Sequence, residues 1–224
     1  MRTALRHNGL GLFFGGLFLA CVAGQAVAGW QAFNEEQAGE QLGTLGFWDY
    51  VLSTDFAVAV SENWQSEFLQ FLLYLLATVW LLQRGSPESK ELDCAGRESD
   101  EDQLVGPHAR ADSPRWAKAG GWRTRLYSTS LALVVGAIFL ASWAVQSVAG
   151  WAAYNEHRLQ QLQDPISWGG YVTAADFWER TLQNWQSEFL AVGAFAVLAI
   201  FLRQRGSPES KPVGAPHSAT GMEG

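Results

Sequence analysis

Apolar positions gather into four stretches, 9–29, 63–82, 128–149 and 184–202, and polar positions fill the rest of the chain. A helix needs about 20 residues to cross about 30 Å of hydrocarbon. In lipid such a stretch must be helical, because no water is there to satisfy the backbone. The pattern therefore predicts an all-α integral membrane protein with four transmembrane helices. The pattern also repeats. Shifted by 121 residues, Asn63–Leu69 (NWQSEFL) falls on Asn184–Leu190, Gln83–Lys90 (QRGSPESK) on Gln204–Lys211, and Gln25–Trp30 on Gln146–Trp151. Between 25–90 and 146–211, 28 of 66 positions are identical without a gap.

Each copy reads as helix, outside loop, helix and basic exit. Two crossings return the chain to its starting side, so the second copy inserts in the same orientation as the first. The fold expected is two tandem hairpins related as a parallel repeat about an axis along the membrane normal. Residues 1–90 and 122–211 form the two hairpin units. The linker 91–121 and the tail 212–224 are rich in Glu, Asp, Ser, Gly and Pro, a composition that cannot bury enough apolar surface to order itself, so both are expected to be flexible.

Short helical segments are expected in the outside loops. Asp55-Phe56 and Asp176-Phe177 match across the copies, and Asp is a good N-cap. Phe56, Val60, Trp64 and Phe68 follow at four-residue spacing, so one helix is expected to start near Asp55 and run on into the membrane. The first helix carries Gly11-x-x-x-Gly15 and Ala20-x-x-x-Gly24, and the third carries Ala132-x-x-x-Gly136 and Ala137-x-x-x-Ala141. Such small-residue spacings let helices approach closely, here within the four-helix bundle.

Charge sets the orientation. Of the 15 Lys and Arg residues, the loop 31–66 holds none and the loop 152–187 holds Arg158 and Arg180; the other thirteen lie before the first helix, in 84–125, or from Arg203 onward. The positive-inside rule then makes both termini and the linker cytoplasmic. The net charge of −7 argues against nucleic acid. Cys21 sits in the first helix and Cys94 in the linker, a placement that gives neither a disulfide nor a metal site. Ala26-Val27-Ala28 has the look of a signal-peptide cleavage site. Yet Ala28-Gly29-Trp30 recurs as Ala149-Gly150-Trp151 after an internal helix, so the first segment is expected to stay as a transmembrane helix.

The polar residues at the outer ends of the helices carry the candidate chemistry. The apolar run that begins at the end of the first NWQSEF, Phe68–Leu82, is only 15 residues long. Asn63, Gln65 and Glu67, with Asn184, Gln186 and Glu188, are thus drawn to the outer interface, where a carboxylate is costly unless paired or hydrated. Gln25 and Gln146 lie at similar depth, so Gln25 is expected to meet Glu67 and Gln146 to meet Glu188. Trp30, Trp64, Trp151 and Trp185 fit interfacial anchors. Two readings of this cluster compete. In one it is polar glue between helices; in the other Glu67 and Glu188 form a symmetric pair for a cation, a proton or a headgroup. In QRGSPESK, Arg84, Lys90, Arg205 and Lys211 suit a charged cytoplasmic surface, Gly85 and Gly206 suit a helix C′ position, and Ser86-Pro87 suits the start of a short helix. HExxH, CxxC, GxSxG and phosphate-loop motifs are absent, and the four histidines have no metal spacing. No cofactor, metal or catalysis is expected.

NGLGLFFGGLFL, GQAVAGWQAFNEEQ, ENWQSEFLQ and QRGSPESK resemble a group of small bacterial membrane proteins known only as a domain of unknown function. The resemblance covers nearly the whole chain, duplication included. It departs at Asn34–Gln37 (NEEQ), which becomes Asn155-Glu156-His157-Arg158 in the second copy. It implies a bacterial plasma-membrane location and no known activity. The expected role is non-enzymatic: an envelope protein in the lipid bilayer that assembles with itself or with a membrane-protein partner. The alternative is a small transporter or channel using Glu67 and Glu188.

Overall fold

A computed structural model describes residues 7–222; Arg2 and Arg6, two of the residues that set the expected orientation, lie outside the described residues. Among the described residues all regular structure is helical. α1 (Gly9–Gly39) leads to the short α2 (Phe47–Val51) and then to α3 (Thr54–Ala77). The linker contains a 3-10 turn (Gly106–His108) and α4 (Arg115–Lys118). α5 (Gly121–Ser128), α6 (Ser130–Gln160), α7 (Trp168–Val172) and α8 (Ala175–Phe201) follow. Gly9 and Ser130, Phe47 and Trp168, Thr54 and Ala175 each stand 121 positions apart, so α1–α3 and α6–α8 start in the register of the sequence repeat.

Three helices, α1, α6 and α8, are long and apolar enough to cross a membrane, not the four expected. The stretch 63–82 fails because α3 stops at Ala77. There the β-branched pair Thr78-Val79, stiff at χ1, stands where the second copy has Ala199-Ile200 and α8 continues to Phe201. The Val79 carbonyl accepts the N–H of Gly96 from the linker at 2.7 Å. Gly96 has φ +104°, and a Cβ there would come within 3.2 Å of the Trp80 ring. What the stop leaves in α3 carries Asp55, Glu62 and Glu67, and a polar segment, 61–67, separates the apolar 56–60 from only the ten residues 68–77 of the apolar run. Length is not the shortfall, since its 24 residues rise about 36 Å.

On α1 the residues Leu10, Phe13, Phe14 and Leu19 are each at least 60% exposed, as suits a helix that is apolar all round. A Cβ added at Gly11, Gly15 or Gly24 would meet open space. The expected packing through the first helix's small-residue spacing is therefore not made among the described residues. The α6 counterpart does pack: a Cβ at Gly136 would sit 3.5 Å from the Leu72 side chain of α3.

The chain clusters into two compact units, Met1–Ser61 with Val145–Tyr171, and Glu62–Ala144 with Val172–Gly224, each drawing on both sequence copies. The first unit contains one clamp twice. The Trp30 indole N–H donates to the Leu45 carbonyl at 2.8 Å. Asn34 donates to the same carbonyl at 3.0 Å and accepts the Leu45 N–H at 2.8 Å. In the second copy Trp151 donates to the Ile166 carbonyl at 2.7 Å, and Asn155 donates to it at 2.9 Å and accepts the Ile166 N–H at 2.8 Å. Each clamp ties the loop to the helix end it has just left. Those ends close alike, with Gln41 at φ +62° and Leu162 at φ +58°, and with the N–H of Leu42 and Gln163 reaching back to Gln37 and Arg158, both at 2.8 Å. That is a left-handed helix closure made without glycine. Leu162 is 96% exposed and has no packing to offset the strain.

Asp55 and Asp176 stand in the first turns of α3 and α8 rather than at their caps. Ser53 takes the capping role in the first copy, its Oγ accepting the Phe56 N–H at 3.3 Å. Ala174 precedes α8 and offers no side-chain cap. The helices nevertheless begin in the loops and run on through the NWQSEF motifs, as expected.

In the second unit QRGSPESK forms a turn, not the short helix expected after Ser86. Gly85 (φ +86°) and Gly206 (φ +84°) supply its left-handed corner, several residues beyond the helix ends rather than at C′. Ser89 Oγ accepts the Gln83 N–H and Ser210 Oγ the Gln204 N–H, each at 2.9 Å. The tail, whose composition suggests flexibility, returns to the first of these turns. Thr220 Oγ1 accepts the Gly85 N–H at 2.9 Å, and the Gly221 N–H donates to Ser86 at 3.1 Å.

Candidate functional site

The two NWQSEF motifs meet inside the second unit. Gln65 of α3 is fully buried, and its Oε1 accepts the indole N–H of Trp185 from α8 at 2.7 Å. Trp185 lies 5.8 Å from the Trp143 ring of α6, which stacks on Phe139 at 5.6 Å and on Phe177 at 6.3 Å. Ser66 is buried and donates to the Asn63 carbonyl. Asn184 donates to the Arg180 carbonyl at 2.8 Å. Gln65 Nε2, Trp143 Nε1 and Thr181 Oγ1 are buried with no partner among the described residues. Such orphans cost about 1–3 kcal/mol each.

The rest of the expected cluster divides. Asn63, Glu67 and Gln186 are exposed, and Gln25 and Glu188 are half-buried. Glu67 and Glu188 lie near enough to interact electrostatically. Gln146 is 1% exposed, and neither atom of its amide has a hydrogen-bond partner among the described residues. Gln146 belongs to the first unit and Glu188 to the second. Trp64 is 41% exposed, whereas Trp30 and Trp151 hold the loop clamps. Both basic residues of the loops have local partners. Arg180 bridges Glu62 and Asp176, each at 3.3 Å, and Arg158 donates to the Asp164 carbonyl at 2.7 Å.

At the other end of α3 and α8 the two QRGSPESK turns bring together residues the sequence reading passed over. Arg84 and Arg205 are exposed, as expected of a charged surface. Lys90 is half-buried, donating to the Gly96 carbonyl at 2.7 Å and pairing with Glu98. Lys211, expected at the surface, is 1% exposed and surrounded by backbone carbonyls. Between the basic ends lie Glu88 and Glu209, the same position in each copy, lining one cavity and close enough for their carboxyls to interact. The Tyr74 hydroxyl donates to Glu88. Burial pushes the Glu88 carboxyl above the ordinary carboxylate range; the neighbouring Glu209 adds to the rise, and the Tyr74 hydroxyl works against it. The pair opens on a cavity of about 650 Å³ walled by α3 and α8. The available signal was the identity of Glu88 and Glu209 across the copies, hidden by the more conspicuous basic residues on either side.

The family model described as domain of unknown function (DUF6766) matches residues 1–222. The chain belongs to this family. Neither curated proteins nor solved structures gave a match. Membership in DUF6766 fits a membrane protein of unknown activity, and the function is argued from the residues.

Proposed function

We propose that this is a multi-pass protein of a bacterial plasma membrane, without catalysis, that works by assembling with itself or with another membrane protein. Both termini and the linker are cytoplasmic, and the two copies insert as parallel hairpins. α3 makes the fourth crossing despite its polar segment. Its length suffices, Gln65, Ser66 and Leu69 are buried, and the basic linker belongs on the side opposite the Lys- and Arg-free loop. Reporter fusions test this orientation. A cytoplasm-dependent reporter is expected to be active at residue 100 and at the C-terminus, and an exterior-dependent one near Gln41 and Gln163. An exterior C-terminus would refute it.

The observation that carries the assembly reading is the Gln65–Trp185 bond. In the most specific motif of the chain, one buried polar side chain joins α3 to α8. Gln65→Leu and Trp185→Phe should each lower the melting temperature in detergent, and the double variant should lose less than the two losses combined. The coupling expected is about 0.6–2 kcal/mol. Strict additivity would remove this support. The transporter reading rests on the proximity of Glu67 and Glu188. It requires ion flux in proteoliposomes that Glu67→Gln with Glu188→Gln abolishes; the assembly reading expects no flux from either protein.

A further inference from the structure

We propose that the cavity between α3 and α8 is a binding site for an organic ammonium ion, held by the Glu88 and Glu209 carboxyls at one end and by the aromatic and aliphatic walls along its body. The size fits: about 650 Å³ lies inside the range of small-molecule sites, roughly 300–1,000 Å³. So does the charge. Two carboxyls this close cannot both ionise unless a cation or a shared proton lies between them. The hydroxyls of the lining are already committed as donors, Tyr74 to Glu88 and Thr78 to the Tyr74 carbonyl at 2.8 Å. Gln70 also lines the cavity, and its buried Oε1 is an acceptor with no partner among the described residues. A ligand that brings N–H donors and positive charge satisfies both carboxyls at once. An anion satisfies neither of them.

The walls argue for an organic cation over a metal ion. Among the described residues no third His, Cys, Asp or Glu joins the two carboxyls, whereas hard divalent cations take six or more oxygen ligands. Phe71 and Phe195 line it instead, and aromatic rings attract ammonium groups over their faces. The duplication makes the site directional. Glu88 and Glu209 are identical across the copies, but Gln70 and Tyr74 of the first correspond to Ala191 and Phe195 of the second. One wall is polar and the other apolar, so the ammonium group faces the acids and Gln70 while an alkyl body lies against α8.

The ligand chemistry is an alkylammonium, which a free amine or the headgroup of phosphatidylethanolamine would supply. The test titrates the full-length chain in detergent with n-hexylammonium chloride by calorimetry, with 1-hexanol as the uncharged control. Binding of the ammonium and not of the alcohol is expected. Glu88→Gln and Glu209→Gln should each weaken it by about tenfold or more, the loss of one charge-assisted hydrogen bond. Val192→Trp, which fills the cavity and keeps both acids, should abolish it and serves if the acid variants do not fold. Equal binding by wild type and the Glu88→Gln/Glu209→Gln variant would overturn the proposal, as would no heat at millimolar hexylammonium, or hexanol binding as well as the amine. Nanodiscs separate the sources. If phosphatidylethanolamine, compared with phosphatidylcholine, blocks hexylammonium binding to the wild type, the headgroup is the occupant; unchanged binding in both lipids assigns the site to a free amine.

Discussion

Replacing Gly150 by alanine is expected to destabilise the protein by about 1–3 kcal/mol, the usual cost of forcing an extra carbon into a filled interior. A Cβ at Gly150 would stand 2.5 Å from the Tyr171 hydroxyl oxygen and 3.2 Å from the ring carbon that bears it. Tyr171 is 1% exposed and cannot swing aside. It also lies 5.3 Å from the Tyr154 ring. The clash is with one oxygen, so the remedy is specific: Tyr171→Phe removes that atom and leaves a tight but tolerable contact with the ring. The double variant should melt above Gly150→Ala alone in detergent, even though Tyr171→Phe by itself gives up the hydroxyl's own interaction. A double variant no more stable than Gly150→Ala would show that the crowding lies elsewhere. Gly29 and Tyr50 repeat the arrangement in the first copy, where Tyr50 is 6% exposed, and the same pair of substitutions should behave in the same way.

That glycine–tyrosine contact was within reach of the sequence. Gly29 and Gly150, Tyr50 and Tyr171, Trp30 and Trp151, and Asn34 and Asn155 are all identical at the repeat offset. Their partners lie within about 20 residues, so local pattern and repetition together mark the clamp, although Trp30 and Trp151 invite the simpler reading of interfacial anchors. Helix starts were equally legible, because a capping or first-turn residue and the onset of four-residue spacing are local signals. The end of α3 was not. It depends on Val79 meeting the backbone N–H of Gly96 across the linker; at the same offset in the second copy the Ile200 carbonyl meets the His217 ring instead, at 3.1 Å, and α8 runs on to Phe201. Nor was the acid pair legible. Glu88 and Glu209 are 121 positions apart, and an identical residue in two copies says that a position is kept, not that its two instances touch.

The same limit makes the two copies of QRGSPESK useful, since identical sequences have taken different surroundings. Lys211 should be far more sensitive to substitution than Lys90. Its Nζ donates to Gly85 at 2.6 Å, to His217 at 2.9 Å and to Ala219 at 3.2 Å, all through backbone carbonyls. An ammonium has three donors, so the group is saturated by the tail it gathers. Burial, with the neighbouring Arg203 adding to it, pushes its pKa below the ordinary lysine value, the sign expected for a charge taken out of water. Lys211→Met keeps the apolar stem and removes every donor. The carbonyls of Gly85, Pro216, His217 and Ala219 then lose the donor they share, and the expected loss is on the order of 3 kcal/mol. The tail should come free of Gly85 at the same time, so protease should cut within 212–222 at concentrations that leave the wild type intact. Lys90→Met loses one carbonyl contact and an exposed ion pair with Glu98, and pairs of that kind contribute about 0–1 kcal/mol. If the two substitutions cost the same, or if the tail of Lys211→Met is cut no faster, the carbonyl cage does not hold the tail. The expected asymmetry would show that it is the tail's return to Gly85, not the motif itself, that turns one of two identical lysines into a structural cation.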